Sequence, residues 1–260
     1  MNVRNLLLLA LGVCVAWAAS ASADSVYLRY DSDGPTRTGN FWPNTTGYNN
    51  FYIGRSNFTE YYVDPITNRL PVVNGVTQYT PIGTTTAYCI DVNHLIWTGH
   101  TDYFELRALE NVPIASVQAH ASDLRKLFYL ESQNPVGSNP DRAAAMAASV
   151  WEIATETGST YDLTSGYFGV IPTGDGKVGG VYTWLATAQS WLSQLNADRT
   201  LNHLAQNHVT AYYNANTQSF AFSDGGLDQP PVPEPITMAT VFLAVSGIGM
   251  YLRKRAHVAE

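Results

Sequence analysis

Alternating apolar and polar positions open the body of the chain and predict β-strands. Residues 25–30 alternate in this way. Residues 51–64 are rich in aromatic side chains and residues 84–92 are β-branched and apolar, and both compositions also favour strands. Two stretches of turn-forming residues, at residues 31–34 and 43–47, interrupt the pattern. Because Asp, Asn, Ser, Gly and Pro favour turns, we expect plain β-turns to join the strands in this part of the chain.

The middle of the chain changes to helical spacing. Apolar side chains recur every three or four positions in three segments, which begin near Pro113, Asn139 and Trp184. Asn139 precedes a proline and an aspartate, as an N-cap residue often does, and Gly158 is expected to end that helix. Residues 208–222 return to alternation. The sequence therefore predicts an α+β fold of mainly antiparallel β elements with a central group of about three helices.

Both ends of the chain are more apolar than its body. Residues 1–23 combine Arg4, an uncharged apolar core and small residues at 21–23, which predicts a cleaved N-terminal signal peptide. Residues 236–252 carry no charge and, at about 17 residues, just reach the length that spans a bilayer. They predict a C-terminal transmembrane helix. Because a basic cluster follows, residues 253–260 are expected to remain in the cytoplasm.

A short sorting motif surrounds the C-terminal apolar run. Its residues are Pro233, Glu234 and Pro235 before the run, and Arg253, Lys254 and Arg255 after it. Together these features resemble the PEP-CTERM sorting signal of Gram-negative bacteria that make extracellular polysaccharide. The resemblance implies that exosortase, a membrane protease-transpeptidase, is a partner. It also implies an intermediate anchored in the inner membrane, which then passes to the cell envelope, the surface or the extracellular matrix.

Between the two ends lies one exported domain, predicted over residues 24–222, and a Gly-, Asp- and Pro-rich linker at residues 223–235. The whole chain carries a formal charge of −7, and the body without the two ends holds 10 basic and 19 acidic residues, a charge of −9. The acidic, charge-poor body argues against nucleic acid as a partner. An extracellular polysaccharide or a matrix protein is the expected partner. Since no Cys/His spacing suggests zinc, we expect neither a metal nor a cofactor.

Cys89 is the single cysteine left once Cys14 departs with the signal peptide, so no disulfide can form within the body. It lies in the segment Tyr88-Cys89-Ile90-Asp91, and Trp151 follows about sixty residues later in a helical segment. This pairing resembles the thioester domain of surface adhesins, best over residues 80–222. In that family a Cys is joined to a Gln in a Thr-Gln-x-Ala-Ile-Trp helix, and the thioester acylates amines of a partner.

The expected Gln is missing from that helix. Aligned on Trp151, its position is taken by Ala147, which has no amide to acylate Cys89. The sequence therefore predicts the scaffold of the family without its reactive group, and a buried, structural Cys89. The leading hypothesis is a non-enzymatic cell-surface or matrix protein. A covalent thioester adhesin is one alternative.

A secreted hydrolase that acts on polysaccharide is the other alternative. Asp91 and His94 lie near Cys89 in sequence, but an extended chain would place His94 about 16 Å further on, too far to act as its base. Glu152 and Glu156 are four residues apart on the predicted helix. With no second carboxylate pair in view, we expect a solvated helix face there rather than a glycosidase dyad.

Overall fold

The structure is a computed structural model that describes residues 25–42, 51–64, 67–174, 177–178, 181–197 and 208–223. Contacts group Ala23–Gly225 into one compact unit. The predictions on residues 1–23, 233–235, 236–252 and 253–260 fall outside the described ranges. Within those ranges, no helix is both long enough and apolar enough to cross a membrane.

The described elements form an α+β fold with four α-helices and mainly antiparallel strands. The strands are β1 (Ser25–Trp42), β2 (Phe51–Tyr61), β3 (Val72–Val73), β4 (Val76–Thr77), β5 (Pro81–Cys89), β6 (Thr101–Ala108), β7 (Gly169–Thr173), β8 (Lys177–Val178), β9 (Val181–Tyr182), β10 (Val209–Tyr213) and β11 (Phe220–Ser223). The helices are α1 (Ala115–Ala119), α2 (Ala121–Ser132), α3 (Pro140–Thr155) and α4 (Thr183–Ala197), with a 3-10 turn at Leu109–Asn111. The predicted fold class is therefore confirmed for the body.

Seven strands form one sheet in the order β2-β5-β11-β10-β6-β1-β7, and β2 also pairs with β1. The long strand β1 contacts three other strands, because successive parts of it pair with β6, β2 and β7. All of these pairings are antiparallel. The sheet therefore closes on itself between β1 and β2, so the inward side chains of six strands share one interior.

Helix α3 passes through the centre of the core. Asn139 caps it as predicted, because its side chain accepts hydrogen bonds from the backbone N–H groups of Asp141 and Arg142. Every residue from Ala143 to Ala154 is buried, and most of the first six are alanine. Small side chains let the helix approach β1, β2 and α4 closely. The helix ends at Thr155, three residues before Gly158.

The first predicted helix is two helices in the structure. Helices α1 and α2 meet at His120, whose backbone (φ −110°, ψ 15°) leaves the helical region. The His120 side chain explains the break, because both ring nitrogens have partners outside the helices. Nε2 lies 3.1 Å from the Glu156 carbonyl oxygen and Nδ1 lies 2.9 Å from the Tyr161 hydroxyl. Periodicity alone does not reveal such a tertiary contact.

The prediction of a plain turn at residues 31–34 is wrong. These residues lie inside β1, where the pairing with β2 shifts register between Tyr30 and Ser32 and again between Asp33 and Thr36. Register shifts of this kind are β-bulges, which bend a strand without ending it. Long-range pairing with β2 has overridden the local turn preference of the sequence.

Candidate functional site

Cys89 and Gln218 meet where β5 and β11 pair. Phe220 lies directly opposite Cys89, and the Ile90 backbone N–H donates to the Ser219 carbonyl oxygen at 2.9 Å. Residues two apart along a strand share one face, so Gln218 is the diagonal neighbour of Cys89. Its amide Nε2 lies 2.8 Å from the Cys89 sulfur. The register of one strand pair therefore places an amide on the cysteine.

The expectation that Cys89 lacks a partner amide is therefore wrong. The family pattern predicts the amide in the helix that is α3, where Ala147 is fully buried in the core. The structure supplies the amide from the residue two positions before β11, far away in sequence. One signal was available, because Gln218 lies two residues before the alternating Phe220 and Phe222 of a predicted strand. The sequence does not reveal that this strand pairs with the one that carries Cys89.

The Cys89 thiol is buried and neutral at physiological pH. Its exposed fraction is 6%, and the backbone of Asp91 wraps around it, with N–H and carbonyl oxygen 3.3 and 3.2 Å from the sulfur. Desolvation by burial, followed by the charge of Asp91, raises the pKa of Cys89 to about 12. Polar contacts from the Asp91 backbone, Trp151 and Gln218 favour the thiolate but do not overcome the burial.

Trp151 lies against the same site. Its ring is 6% exposed and packs edge-on against Phe41 and Phe168, with ring centroids 5.8 and 6.2 Å away. The indole N–H is close enough to the Cys89 sulfur to favour the thiolate, yet it meets no acceptor at hydrogen-bonding geometry in the described part of the chain. Of the three positions singled out in sequence, Cys89 and Trp151 come together at one cleft, while Ala147 is not among the residues that line it.

The cleft beside Cys89 has a volume of about 310 Å³. The described residues that line it are Tyr30, Asp33, Phe51, Tyr52, Gly54, Ser56, Cys89, Leu95, Ile96, Trp97, Thr98, Trp151 and Gln218. Most of these side chains are apolar or aromatic. Asp33 carries the one charge among them. Cys89 is thus buried and Gln218 half-buried, and both line a cleft that a small group can enter.

His94 pairs with the Asp91 carboxylate and is not among the described hydrogen-bond partners of the Cys89 sulfur. The chain turns after β5, so His94 Nδ1 lies 2.7 Å from the Asp91 carboxylate, and the extended-chain expectation for this segment is wrong. Within the described residues, the hydrogen-bond partners of the sulfur are the Asp91 backbone and the Gln218 amide. A hydrolase cysteine must ionise in every catalytic cycle, so the raised pKa of Cys89 also argues against a cysteine hydrolase with repeated turnover.

Glu152 and Glu156 do not form a solvated face, which corrects the sequence interpretation. Glu152 is fully buried and accepts the Asp162 backbone N–H at 2.7 Å. Desolvation raises the pKa of Glu152 to about 7, although that hydrogen bond opposes the shift. Glu156 is 7% exposed and accepts the backbone N–H groups of Thr157 (2.7 Å), Gly158 (3.0 Å) and Tyr167 (3.1 Å).

The hydrogen bonds outweigh burial at Glu156. Desolvation pushes its pKa upward, but the three backbone donors together lower it below the ordinary value. A side chain at Gly166 would meet the Glu156 carboxylate at 2.7 Å, so the loop closes tightly over this group. Neither glutamate lines the cleft beside Cys89 or the second described cleft, of about 390 Å³, beside Ile114 and Tyr167. These carboxylates are therefore closed off from solvent and hold the loop after α3.

Among the described residues, no group of three or more His, Cys, Asp or Glu side chains is arranged to hold a metal ion. The cleft that contains Cys89, Gln218 and Trp151 is the candidate site, because it brings a thiol, an amide and an indole N–H together. No family model, curated protein or solved structure matches this chain.

Proposed function

We propose that the body is a covalent surface adhesin whose reactive group is a thioester between Cys89 and Gln218. The observation that carries this proposal is the 2.8 Å separation of the Gln218 amide nitrogen and the Cys89 sulfur. That contact is close for sulfur, which is larger than oxygen. The amide carbon is one bond of about 1.33 Å from the nitrogen, so it lies within roughly 4 Å of the sulfur. Exchanging the amide oxygen and nitrogen leaves that carbon in place.

Formation of the bond needs no further reactant. The Cys89 sulfur attacks the Gln218 side-chain carbonyl carbon, the C–N bond breaks, and the amide nitrogen leaves as ammonia with the thiol proton. A neutral thiol and a neutral amide thereby give a neutral thioester. Burial, which opposes a thiolate at this position, does not oppose that product. The apolar surroundings of the sulfur also favour a long-lived thioester, because they limit the access of water.

The thioester would act once, on a partner that brings a nucleophile into the cleft. A primary amine attacks the same carbonyl carbon, and the C–S bond breaks. One amine proton moves to sulfur, which leaves an amide at Gln218 and a free thiol at Cys89. The Trp151 indole N–H near the sulfur is placed to stabilise the departing charge. This outcome is a permanent cross-link rather than turnover, so the protein is not proposed as an enzyme.

Export and sorting complete the proposal and rest on the two termini of the sequence. The signal peptide would carry the body across the inner membrane, and residues 236–252 would hold it there. An exosortase-type enzyme would recognise Pro233, Glu234 and Pro235 and release the protein to the envelope, the surface or the polysaccharide matrix. An extracellular location suits an irreversible reaction with a polysaccharide-associated amine or a matrix protein.

Intact-mass measurement of the protein purified from its own host tests the proposal. We expect a mass about 17 Da below that of the unmodified mature chain, because thioester formation expels one ammonia. Denaturation should leave Cys89 resistant to alkylation until methylamine is added, and the methylamine adduct should map to Gln218. The same spectrum reports both termini and hence whether the signal peptide and the C-terminal segment are removed.

Two matched variants serve as controls. Cys89→Ala removes the sulfur, and Gln218→Glu keeps the shape of the side chain but removes the amide leaving group. Both should give the unmodified mass and no methylamine adduct while remaining folded. A wild-type protein with full mass, a freely alkylated Cys89 and an unchanged Gln218 would contradict the thioester. A mass about 1 Da above that of the unmodified chain, mapped to Glu at position 218, would instead identify a thioester that had already hydrolysed.

A further inference from the structure

We infer that Asp33 receives the positively charged form of the attacking amine and makes the cleft selective for amines over neutral nucleophiles. The inference rests on the proposed thioester, because it assigns the selectivity of that same reaction. It identifies Asp33 as a specificity-determining residue and an alkylammonium group, such as a lysine side chain, as its ligand.

Asp33 is the one charged side chain among the described residues that line the cleft. It is exposed at the rim, whereas the neighbouring Tyr30 is 5% exposed and lines the same cleft. The Tyr30 hydroxyl donates a hydrogen bond to the Asp33 carboxylate. Burial, and then the hydrogen bond and charge of Asp33, raise the pKa of Tyr30, so this hydroxyl stays a proton donor. One carboxylate oxygen is thus held by Tyr30, and within the described part of the chain no hydrogen bond occupies the other.

The bulged part of β1 holds Asp33 in place. A side chain at Gly34 would meet the Arg55 carbonyl oxygen at 2.8 Å, and one at Gly54 would meet the Pro35 carbonyl oxygen at 2.4 Å. The two strands therefore approach more closely here than side chains would permit. These close approaches restrict the backbone immediately after Asp33, and the pairing of Ser32 with Asn57 and of Asp33 with Ser56 holds the strand at Asp33 itself. The Asp33 carboxylate is therefore presented to the cleft from a rigid support.

Asp31 shows that this placement is specific to Asp33. It lies two residues away on the same strand, but its carboxylate oxygens accept from Arg29 at 2.7 Å and from Thr59 at 2.6 Å. Asp31 is not among the residues that line the cleft. The two aspartates carry the same charge on the same acidic body. They differ in whether that charge has a cationic partner and whether it faces the sulfur.

Two exposed aromatic side chains complete a site for a cation. Tyr52 and Trp97 line the cleft and are 63% and 60% exposed. The faces of tyrosine and tryptophan rings attract ammonium groups by cation–π interaction. A carboxylate together with aromatic rings recognises an alkylammonium better than a neutral alcohol, because an alcohol gains little from either. After binding, the ammonium loses one proton to solvent, and the neutral nitrogen then attacks the thioester.

Rates of thioester opening in Asp33→Asn test the inference. The intact mass of each variant is measured first, so that only protein with the mass deficit of a thioester, about 17 Da, is used. Two nucleophiles of similar size are then compared at pH 7.5: methylamine, which is mainly charged, and hydroxylamine, which is mainly neutral. We expect the substitution to lower the rate of thioester opening by methylamine about five- to tenfold, because one charge-assisted contact is lost. The rate of opening by hydroxylamine should be nearly unchanged. Asp31→Asn, which removes the same net charge, should leave both rates as in the wild type.

The outcomes separate this inference from the thioester itself. A wild-type chain without the mass deficit would overturn the proposed function. A variant with the deficit and unchanged methylamine rates would overturn the role of Asp33 alone, as would an equal effect of Asp31→Asn. If the Asp33→Asn variant does not form the thioester, the wild-type protein provides the test. The rate of opening by methylamine is divided by the rate of opening by hydroxylamine, and this ratio is compared at low and high salt. Raising the salt concentration should lower that ratio by screening the local charge, and a constant ratio would overturn the inference.

Discussion

The Cys89–Gln218 cleft and the Glu152–Glu156 cluster both contain a buried ionisable group. The cleft is open to solvent, whereas the glutamate cluster is closed. Both contain a group whose pKa is raised by desolvation, Cys89 in one and Glu152 in the other. The cleft opens to exposed aromatic residues, whereas backbone N–H groups and the Gly166 loop close over the glutamates. A pKa that desolvation raises therefore marks burial alone. A reactive site additionally needs a partner atom and a route in.

The two regions also differ in what their polar contacts stabilise. Glu156 accepts hydrogen bonds from three backbone N–H groups of one loop, so these contacts stabilise the conformation of that loop. Gln218 contributes a single side-chain contact to sulfur, with no extensive network around it. We therefore expect substitutions in the glutamate cluster to change mainly stability and substitutions in the cleft to change mainly reactivity.

Glu156→Ala should have the largest effect on stability. The substitution removes the charged acceptor of three backbone N–H groups, which should cost about 2–4 kcal/mol in the free energy of unfolding at pH 7. Urea unfolding followed by circular dichroism measures this loss. Glu156→Gln keeps one acceptor oxygen and serves as a milder control. In the folded fraction of either variant the thioester should persist, and its loss would show that the two regions are coupled.

Glu152→Gln should change the pH dependence of stability. Because the folded-state pKa of Glu152 is about 7 and its ordinary value is 4.5, the unfolded chain ionises first as the pH rises. Glu152 therefore lowers the stability of the wild type progressively between pH 4.5 and pH 7, after which its contribution is constant. Replacing it with glutamine should remove this decline and stabilise the protein at pH 8 by about 1–2 kcal/mol.

Unfolding midpoints at pH 5 and pH 8 measure the Glu152 effect. Glu156 acts with the opposite sign, since its lowered pKa adds stability that disappears as the pH falls. A wild type whose stability rises between pH 5 and pH 7 by the same amount as that of Glu152→Gln would rule out a raised pKa at Glu152.

Trp151→Phe should have the smallest effect on stability, and it tests whether the indole N–H contributes to reactivity in the cleft. Phenylalanine retains contacts with Phe41 and Phe168 but removes the indole N–H near the sulfur. We expect a loss of about 1 kcal/mol or less from reduced packing, with the thioester still formed. The rate of opening by methylamine should fall a few-fold, because the departing sulfur loses a donor. Wild-type rates in this variant would exclude that role for Trp151.

The sequence predicted those features that depend on neighbouring residues. Asn139 capped its helix as expected, and the alternating segments became strands of an antiparallel sheet. The errors came from tertiary contacts: the Asp31–Gly34 segment became a bulge because β2 pairs with it, and a predicted helix broke because His120 contacts Tyr161. The meeting of Cys89 with Gln218 has the same origin. It follows from the pairing of β5 with β11, which no local pattern encodes.

The position of Gln218 just before β11 has a mechanical consequence. A partner attached through its side chain and the chain that continues beyond Ser223 would be connected by six residues of backbone, which include all of β11. Tension between partner and attachment point would travel along that short covalent path. That path contains one strand of the closed sheet, β11, and bypasses the other strands and the helices. A pull on the cross-link would therefore load β11 and its pairings with β5 and β10 before the rest of the fold.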